Sequence, residues 1–271
     1  MVERLEPFKY PGCKAGLAPQ ILAAIGTVRG TYREPFLGSG AIFHHAVEAG
    51  LVTLATLSDA DPWIVRAHRE FDEPDALDRL AAHRLATWTA RYFEAVRARV
   101  NYGRNPGWAG DFIALQAAAF NGVYRRNADG ASNVPWAKKA KPPVPSVERL
   151  VAAASRRNKA AIFQEPAVGA VHFAIAGDVV YLDPPYVGEV WSAYGSAQTF
   201  RAEDLEAVIA AAVRAVHRGV RVVLSHTDTP WVREQLVGWT ITTVSTPSRL
   251  SPNAKTRGTR EEIIAVIGGE A

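Results

Sequence analysis

The stretch Asp178-Val179-Val180-Tyr181-Leu182, running into Asp183-Pro184-Pro185-Tyr186, decides how this chain is read. The apolar run is short and β-branched, the pattern of a strand buried inside a parallel sheet. Ligand sites in such sheets lie beyond the carboxyl ends of the strands, which is where Asp183 to Tyr186 fall. The two prolines fix φ and leave their carbonyls without competing backbone partners. An aromatic amine is a poor nucleophile because its lone pair is delocalised into the ring. A carboxylate and a carbonyl that accept both amine hydrogens can localise that pair toward an electrophilic methyl group. Tyr186 can stack on the face of a base, a contact worth roughly 1–3 kcal/mol. A proline-rich turn with a structural tyrosine is the plain alternative. Acid, two prolines and an aromatic directly after an apolar strand favour the amine chemistry.

Outward from that strand, β and α patterns alternate. Upstream, Thr31 to Phe36 and Val52 to Leu57 read as strands, with helices over Leu17 to Ile25 and Ala41 to Ala49. Around the motif, Ala160 to Phe163 and Arg221 to Leu224 read as further strands, and Ile241 to Val244 and Ile263 to Ile267 close the chain. Ser146 to Arg157 (with Ser146 as cap), Ala202 to His217 and Pro230 to Val237 have helical periodicity. The alternation predicts an α/β fold with a mostly parallel sheet covered by helices on both faces. Pro62 to Val100 is helical in pattern, Asn101 to Gly110 reads as a glycine-rich loop, and Asp111 to Ala119 as a further helix. Residues 66–145 therefore read as an inserted, mostly helical lobe, and 1–65 with 146–271 as the main domain.

Glu34-Pro35-Phe36-Leu37-Gly38-Ser39-Gly40 sits at a strand-to-helix turn, where glycines let a ligand approach the backbone. A third glycine at dinucleotide-fingerprint spacing is missing. Asp59, nineteen residues after Gly40 and at the end of the next strand, stands where a ribose diol is held in this topology. Together they indicate an adenosine-containing cofactor without choosing between a nicotinamide and S-adenosylmethionine.

The bulk composition suits a globular protein: 271 residues, 48% hydrophobic and 21% charged. No apolar run is long enough to span a membrane, no secretory leader opens the chain, and Cys13 is the sole cysteine. A cytoplasmic location is expected. The seven histidines have no metal-ligand spacing, so no metal is expected. The net charge of +4 is uneven: Arg125 to Lys159 holds nine basic and two acidic residues, and Thr246 to Arg260 four basic and none acidic. Such patches point to a polyanion partner, although on charge alone solvated faces are the favoured reading.

These motifs, in this order, resemble the Dam-type (alpha-group) family of adenine-N6 DNA methyltransferases over nearly the whole chain. Phe8-Lys9-Tyr10-Pro11-Gly12-Cys13-Lys14 resembles the family's opening segment, although Pro11-Gly12-Cys13 departs from its usual double glycine. Glu34 to Gly40 resembles its methionine-side loop, Ser58-Asp59-Ala60-Asp61 its ribose strand end, and Ile162-Phe163-Gln164-Glu165 its adenine-side residues. Asp183 to Tyr186 matches its catalytic motif, and Leu224 to Thr229 and Glu262 to Val266 resemble its later strands. Within the insertion, Phe120-Asn121-Gly122-Val123-Tyr124-Arg125 and Asn133-Val134-Pro135-Trp136 resemble its recognition loop and hairpin. Two departures stand there: Gly130-Ala131-Ser132-Asn133 replaces a common Gly-Glu-Phe-Asn, and Lys139 falls where the family carries a duplex-wedging aromatic.

The resemblance implies a Rossmann-like S-adenosylmethionine-dependent methyltransferase sheet with a target-recognition lobe, acting on double-stranded DNA in a bacterial or phage-encoded setting. It implies Asp183, Pro184 and Tyr186 as catalytic residues. Tyr10, Lys14, Glu34, Phe36, Gly38, Ser39, Gly40, Asp59, Glu165 and Asp183 would meet the cofactor. Lys9, Asn121, Arg125, Asn133, Trp136, Lys138 and Lys139 would meet DNA, with Arg125 reading a guanine, as suits a bidentate guanidinium. Transfer to a cytosine amine, RNA or a protein amide is the competing enzyme reading, against which the leading Asp183 argues. A non-catalytic DNA-binding relative is the competing reading of another class.

Overall fold

The computed structural model describes residues 4–187, 200–247 and 259–269. The basic run from Thr246 to Arg260 lies mostly outside the described residues. Seven strands form one sheet: β1 (Tyr32–Glu34), β2 (Ala55–Asp59), β3 (Ala160–Gln164), β4 (Val179–Leu182), β5 (Arg221–Thr227), β6 (Thr240–Pro247) and β7 (Thr259–Ile267), in the order β3-β2-β1-β4-β5-β7-β6. The pairs among β1 to β5 are parallel, while β7 runs antiparallel to both β5 and β6. The order reverses between β1 and β4. Their carboxyl ends, Glu34 and Leu182, open the crevice that a switch point creates.

Alternation along β4 shows how both faces are filled. Val179 and Tyr181 join a core under α1 (Ala18–Ile25) and α2 (Ala41–Glu48). Val180 and Leu182 join the core under α8 (Ala167–His172), α9 (Ala202–Val216) and α10 (Pro230–Gln235). All four are buried, the outcome expected for a strand covered on both sides. Helix α8 is an element that the sequence reading did not contain; its six residues are too few to show a helical period.

The chain leaves the sheet after β2 through α3 (Pro62–Glu70) and returns to β3 through α7 (Val147–Arg157). Between them lie α4 (Pro74–Leu85), α5 (Ala90–Tyr102) and α6 (Trp108–Ala118). Side chains start these helices: Asp61 caps α3, Thr89 caps α5 and Ser146 caps α7 by accepting backbone N–H groups. Helix α3 packs on β2 and β3 on one side and on α6 on the other, joining the sheet to the helices that follow. The expected loop over 101–110 is shorter than its glycines suggest. Gly107, at φ 74°, is the left-handed cap of α6, and Gly110 lies inside that helix. A Cβ on Gly110 would strike the Ala76 carbonyl, so this glycine serves close helix packing and does not break the helix. Every residue of α6 is buried, which makes it the axis of the lobe.

Candidate active site

At the switch point lies an open cleft lined by the β1–α2 loop, the N-terminal segment and the turn after β4. The loop's shape follows from its glycines. Gly38, at φ 47°, donates its N–H to Asp59 Oδ2 at 3.0 Å, and its carbonyl accepts from His68 Nε2 at 2.8 Å. A Cβ there would sit 2.9 Å from the Tyr10 ring, so the glycine admits the aromatic that covers this side of the cleft. Gly40, at φ 68°, is the cap of α2 and stands against Leu37, His68 and His44, outside the cleft lining.

Asp183 is held from two directions. Lys14 Nζ lies 2.8 Å from its Oδ1, and Ser225 Oγ donates to the same oxygen at 2.9 Å. With that proton committed, the Ser225 oxygen accepts the Tyr181 hydroxyl at 2.8 Å, giving a Tyr181–Ser225–Asp183 chain across β4 and β5. Among the described residues both polar contacts fall on Oδ1, and Oδ2 accepts none. Lys14 also donates to the Tyr186 hydroxyl at 3.1 Å and lies 3.8 Å from Glu262. Burial alone would lower the Lys14 pKa, but Asp183, Tyr186 and Glu262 raise it, so the ammonium stays charged. Burial pushes the Tyr186 phenol up to about 12, with Lys14 opposing.

Two more carboxyls face the cleft under different control. Glu34, at the end of β1, is buried and accepts the Tyr32 hydroxyl at 2.7 Å. Burial pushes its pKa up to about 8 despite that bond, and Asp183 adds to the rise. Asp59 is pushed up to about 7 by burial, opposed by the N–H groups of Asp61 and Gly38. Among the described residues neither carboxylate has a cation beside it, so burial disfavours its charged form.

Of the residues expected at the cofactor, Tyr10, Lys14, Glu34, Phe36, Gly38, Ser39, Asp59 and Asp183 line this one cleft, as do Pro184 and Tyr186 of the motif. Gly40 does not, for the reason given. Glu165 does not either; its backbone N–H bonds the Asp59 carbonyl at 3.2 Å, beside the end of β2. Ser225, Tyr181 and Tyr32 carried no role in the sequence reading. Their signal was only their place at or near the ends of buried strands.

In the lobe, Asn121 is exposed at φ 50°, next to Gly122, whose missing Cβ leaves room for the Lys9 stem. Arg125 is exposed and bonds Asn133 twice, to Oδ1 and to the carbonyl, each at 2.7 Å. Lys138 and Lys139 are exposed on the same segment. Trp136 is half-buried beside them. Its ring stacks on Phe93 at 6.2 Å and packs against the lobe's core on that face. The basic cluster also shrinks. Arg126, Arg149, Arg156 and Arg157 are paired with Asp61, Glu6, Glu48 and Asp72, and Lys141 bonds the Leu85 and Ala86 carbonyls. These five meet local partners of their own.

Comparison with known proteins gives this geometry a family. The profile described as D12 class N6 adenine-specific DNA methyltransferase matches residues 10–247. The chain is 26% identical over 277 residues to the type II methyltransferase M1.LlaDCHI of Lactococcus lactis subsp. cremoris, covering 98% of this chain and 96% of that protein. It is 27% identical over 248 residues to the DNA adenine methylase of Escherichia coli strain K12, covering 86% of this chain and 84% of that one. Among solved structures, the precorrin-6y C5,15-methyltransferase of Geobacter metallireducens GS-15 aligns at a TM-score of 0.45 with 10% identity, over 97% of this chain and 94% of that one. Adenine thereby takes precedence over cytosine, RNA and protein amides as the acceptor class. With its glycine loop, its Asp-Pro-Pro-Tyr turn and its inserted lobe in place, the chain belongs to the D12 class of N6 adenine-specific DNA methyltransferases.

Proposed function

We propose that the chain transfers a methyl group from S-adenosylmethionine to N6 of an adenine flipped out of double-stranded DNA in the cytoplasm. The observation that carries this reading is the shared cleft. It places the Asp183 to Tyr186 turn, the glycine loop and the buried carboxyls Glu34 and Asp59 around one space. The residues suit the cofactor. Its ammonium and sulfonium are cations, and Glu34 and Asp59 are buried carboxyls that a bound cation would ionise. Glu34 would hold the ammonium, Asp59 the ribose, and Phe36 the adenine, with Tyr10 over the glycine loop.

When bound, the cofactor supplies an electrophilic methyl on a sulfonium, which leaves as a neutral thioether. The chain's residues do the orienting. Lys14 and Ser225 hold Oδ1 of Asp183, so Oδ2 is turned to accept one hydrogen of the adenine amine. The Pro184 carbonyl accepts the other, which directs the lone pair out of the ring plane. Tyr186, fixed by Lys14, offers a ring face for stacking. Unstacking the adenine costs a few kcal/mol, offset by that stack and those hydrogen bonds. The surplus amine proton passes to solvent after the N–C bond forms. Positioning the two reactants lowers the barrier most. Outside the cleft, Arg125 would read a guanine, and Lys9, Lys138 and Lys139 would meet phosphate.

Long-read sequencing of plasmid DNA from cells expressing the protein tests the reading: modified adenines are expected in one fixed sequence context. Asp183→Ala should abolish them. Modification persisting at the parental level in that variant would sink the mechanism.

A further inference from the structure

Asp61 stands at the junction between the cleft and the lobe. Its carboxyl is fully buried, and Oδ2 accepts both the Tyr124 hydroxyl at 2.7 Å and Arg126 Nη2 at 2.8 Å. Oδ1 caps α3 through Trp63 N–H at 2.8 Å. Its own N–H bonds Asp59 Oδ1 at 2.9 Å, the carboxyl that also holds the Gly38 N–H. One residue is therefore tied to the cofactor loop on one side and to the recognition hairpin on the other.

The hairpin arm is extended. Arg126 bridges Ser132 antiparallel, Asn133 N–H bonds the Arg125 carbonyl at 3.3 Å, and Asn127 N–H bonds the Ala131 carbonyl at 2.8 Å. Successive side chains of an extended segment point to opposite sides. Tyr124 and Arg126 go inward to Asp61, and Arg125 between them goes outward, where Asn133 steadies its guanidinium. Both anchors are braced further: Arg126 lies 5.0 Å over the Trp63 ring, and the Tyr124 ring is 5.4 Å from Tyr10. Burying Arg126 beside Asp61 removes it from any phosphate. Its charge is spent on holding the arm.

We propose that Asp61 is a positioning residue for DNA-site discrimination, anchoring Tyr124 and Arg126 so that Arg125 is presented at a fixed place relative to the cleft. The inference rests on the reading of Arg125 as the residue that meets a base. A bidentate contact to a base edge tolerates little displacement, so loosening the arm should cost selectivity before it costs chemistry.

The test uses the full chain and its preferred site, found by sequencing methylated DNA. The readout is the ratio of kcat/KM on that site to kcat/KM on sites with single bases changed. A merely structural role lowers both rates together and leaves the ratio alone. Asp61→Asn is expected to lower the ratio roughly tenfold at one base position, and Arg125→Ala to lower it at that same position. In the Arg125→Ala background, Asp61→Asn should lower it no further. A parental ratio in Asp61→Asn beside a reduced one in Arg125→Ala overturns the proposal and leaves the base-reading assignment standing. A parental ratio in Arg125→Ala overturns that assignment and the proposal with it. An equal loss from Asp61→Asn in both backgrounds shows that Asp61 acts elsewhere and also overturns it. Should Asp61→Asn fail to fold, Tyr124→Phe, which removes only the hydroxyl, decides in its place on the same criteria.

Discussion

The Ser225 hydroxyl donates to the same carboxylate oxygen of Asp183 that faces Lys14, at 2.9 Å, while accepting from Tyr181. A hydrogen bond to a charged group contributes about 1.5–3 kcal/mol, and each ~1.4 kcal/mol of barrier is a tenfold rate change. Ser225→Ala should therefore lower kcat by roughly 10–100-fold, with the cofactor Kd near parental. Steady-state rates beside calorimetric titration check this. Tyr181→Phe, which spares the Ser225–Asp183 bond, should lose far less, and equal losses in the two variants would contradict the arrangement.

Glu34 sets a pH dependence. Its folded pKa of about 8 lies above the ordinary carboxyl value of 4.5, so the folded state holds a proton that the unfolded chain has released. The sign follows: its stabilising contribution is whole below about pH 4.5 and is lost as pH rises toward about 8. Melting curves of the cofactor-free protein should thus show Glu34→Gln gaining on the parent as pH rises through that window. An ammonium ligand prefers the ionised carboxylate, so cofactor Kd should fall from pH 6 to pH 8 in the parent and stay flat in Glu34→Gln. A parallel pH profile in the two proteins would count against the ammonium assignment.

Gly38→Ala should damage the cleft by two routes. The residue sits at φ 47°, and the new Cβ would press on the Tyr10 ring. Left-handed backbone costs a non-glycine residue about 1–2 kcal/mol, so a cofactor Kd about tenfold weaker is expected. Calorimetry measures it. Gly130→Ala, also at positive φ but with open space around its Cβ and away from the cleft, should leave that Kd unchanged.

Ion pairing divides the basic residues into two groups with different salt behaviour. Lys139 is exposed, whereas Arg157 Nη2 lies 2.6 Å from Asp72 Oδ2. Lys139→Ala should weaken DNA binding evenly across sequences and reduce the log–log salt slope by about 1. Arg157→Ala should leave the slope as it is. Binding titrations over a salt series separate the two, and identical slopes for Lys139→Ala and parent would remove Lys139 from the DNA surface.

The strand from Val179 to Leu182, the turn after it and the glycine loop were legible because their signals are local. Apolar alternation, fixed proline φ and the absence of a Cβ act within a few residues. The same holds for the Ser146 cap of α7. Where a local signal had two meanings, the lobe chose: Gly107 and Gly110 look like a loop in sequence but start and pack α6. Trp136 packs on Phe93, 43 residues earlier, a contact that no local pattern in the recognition stretch announces.

The sequence by itself determined the α/β class and the order of motifs, since each depends on side-chain type and short spacing. Tertiary structure alone decided which charges are spent and which are offered. Lys14 meets Asp183 across 169 residues, Arg126 meets Asp61 across 65, and Arg157 meets Asp72 across 85. A charge is a property of one residue, but its partner is set by where the sheet and lobe bring distant segments together, and no local pattern records that meeting.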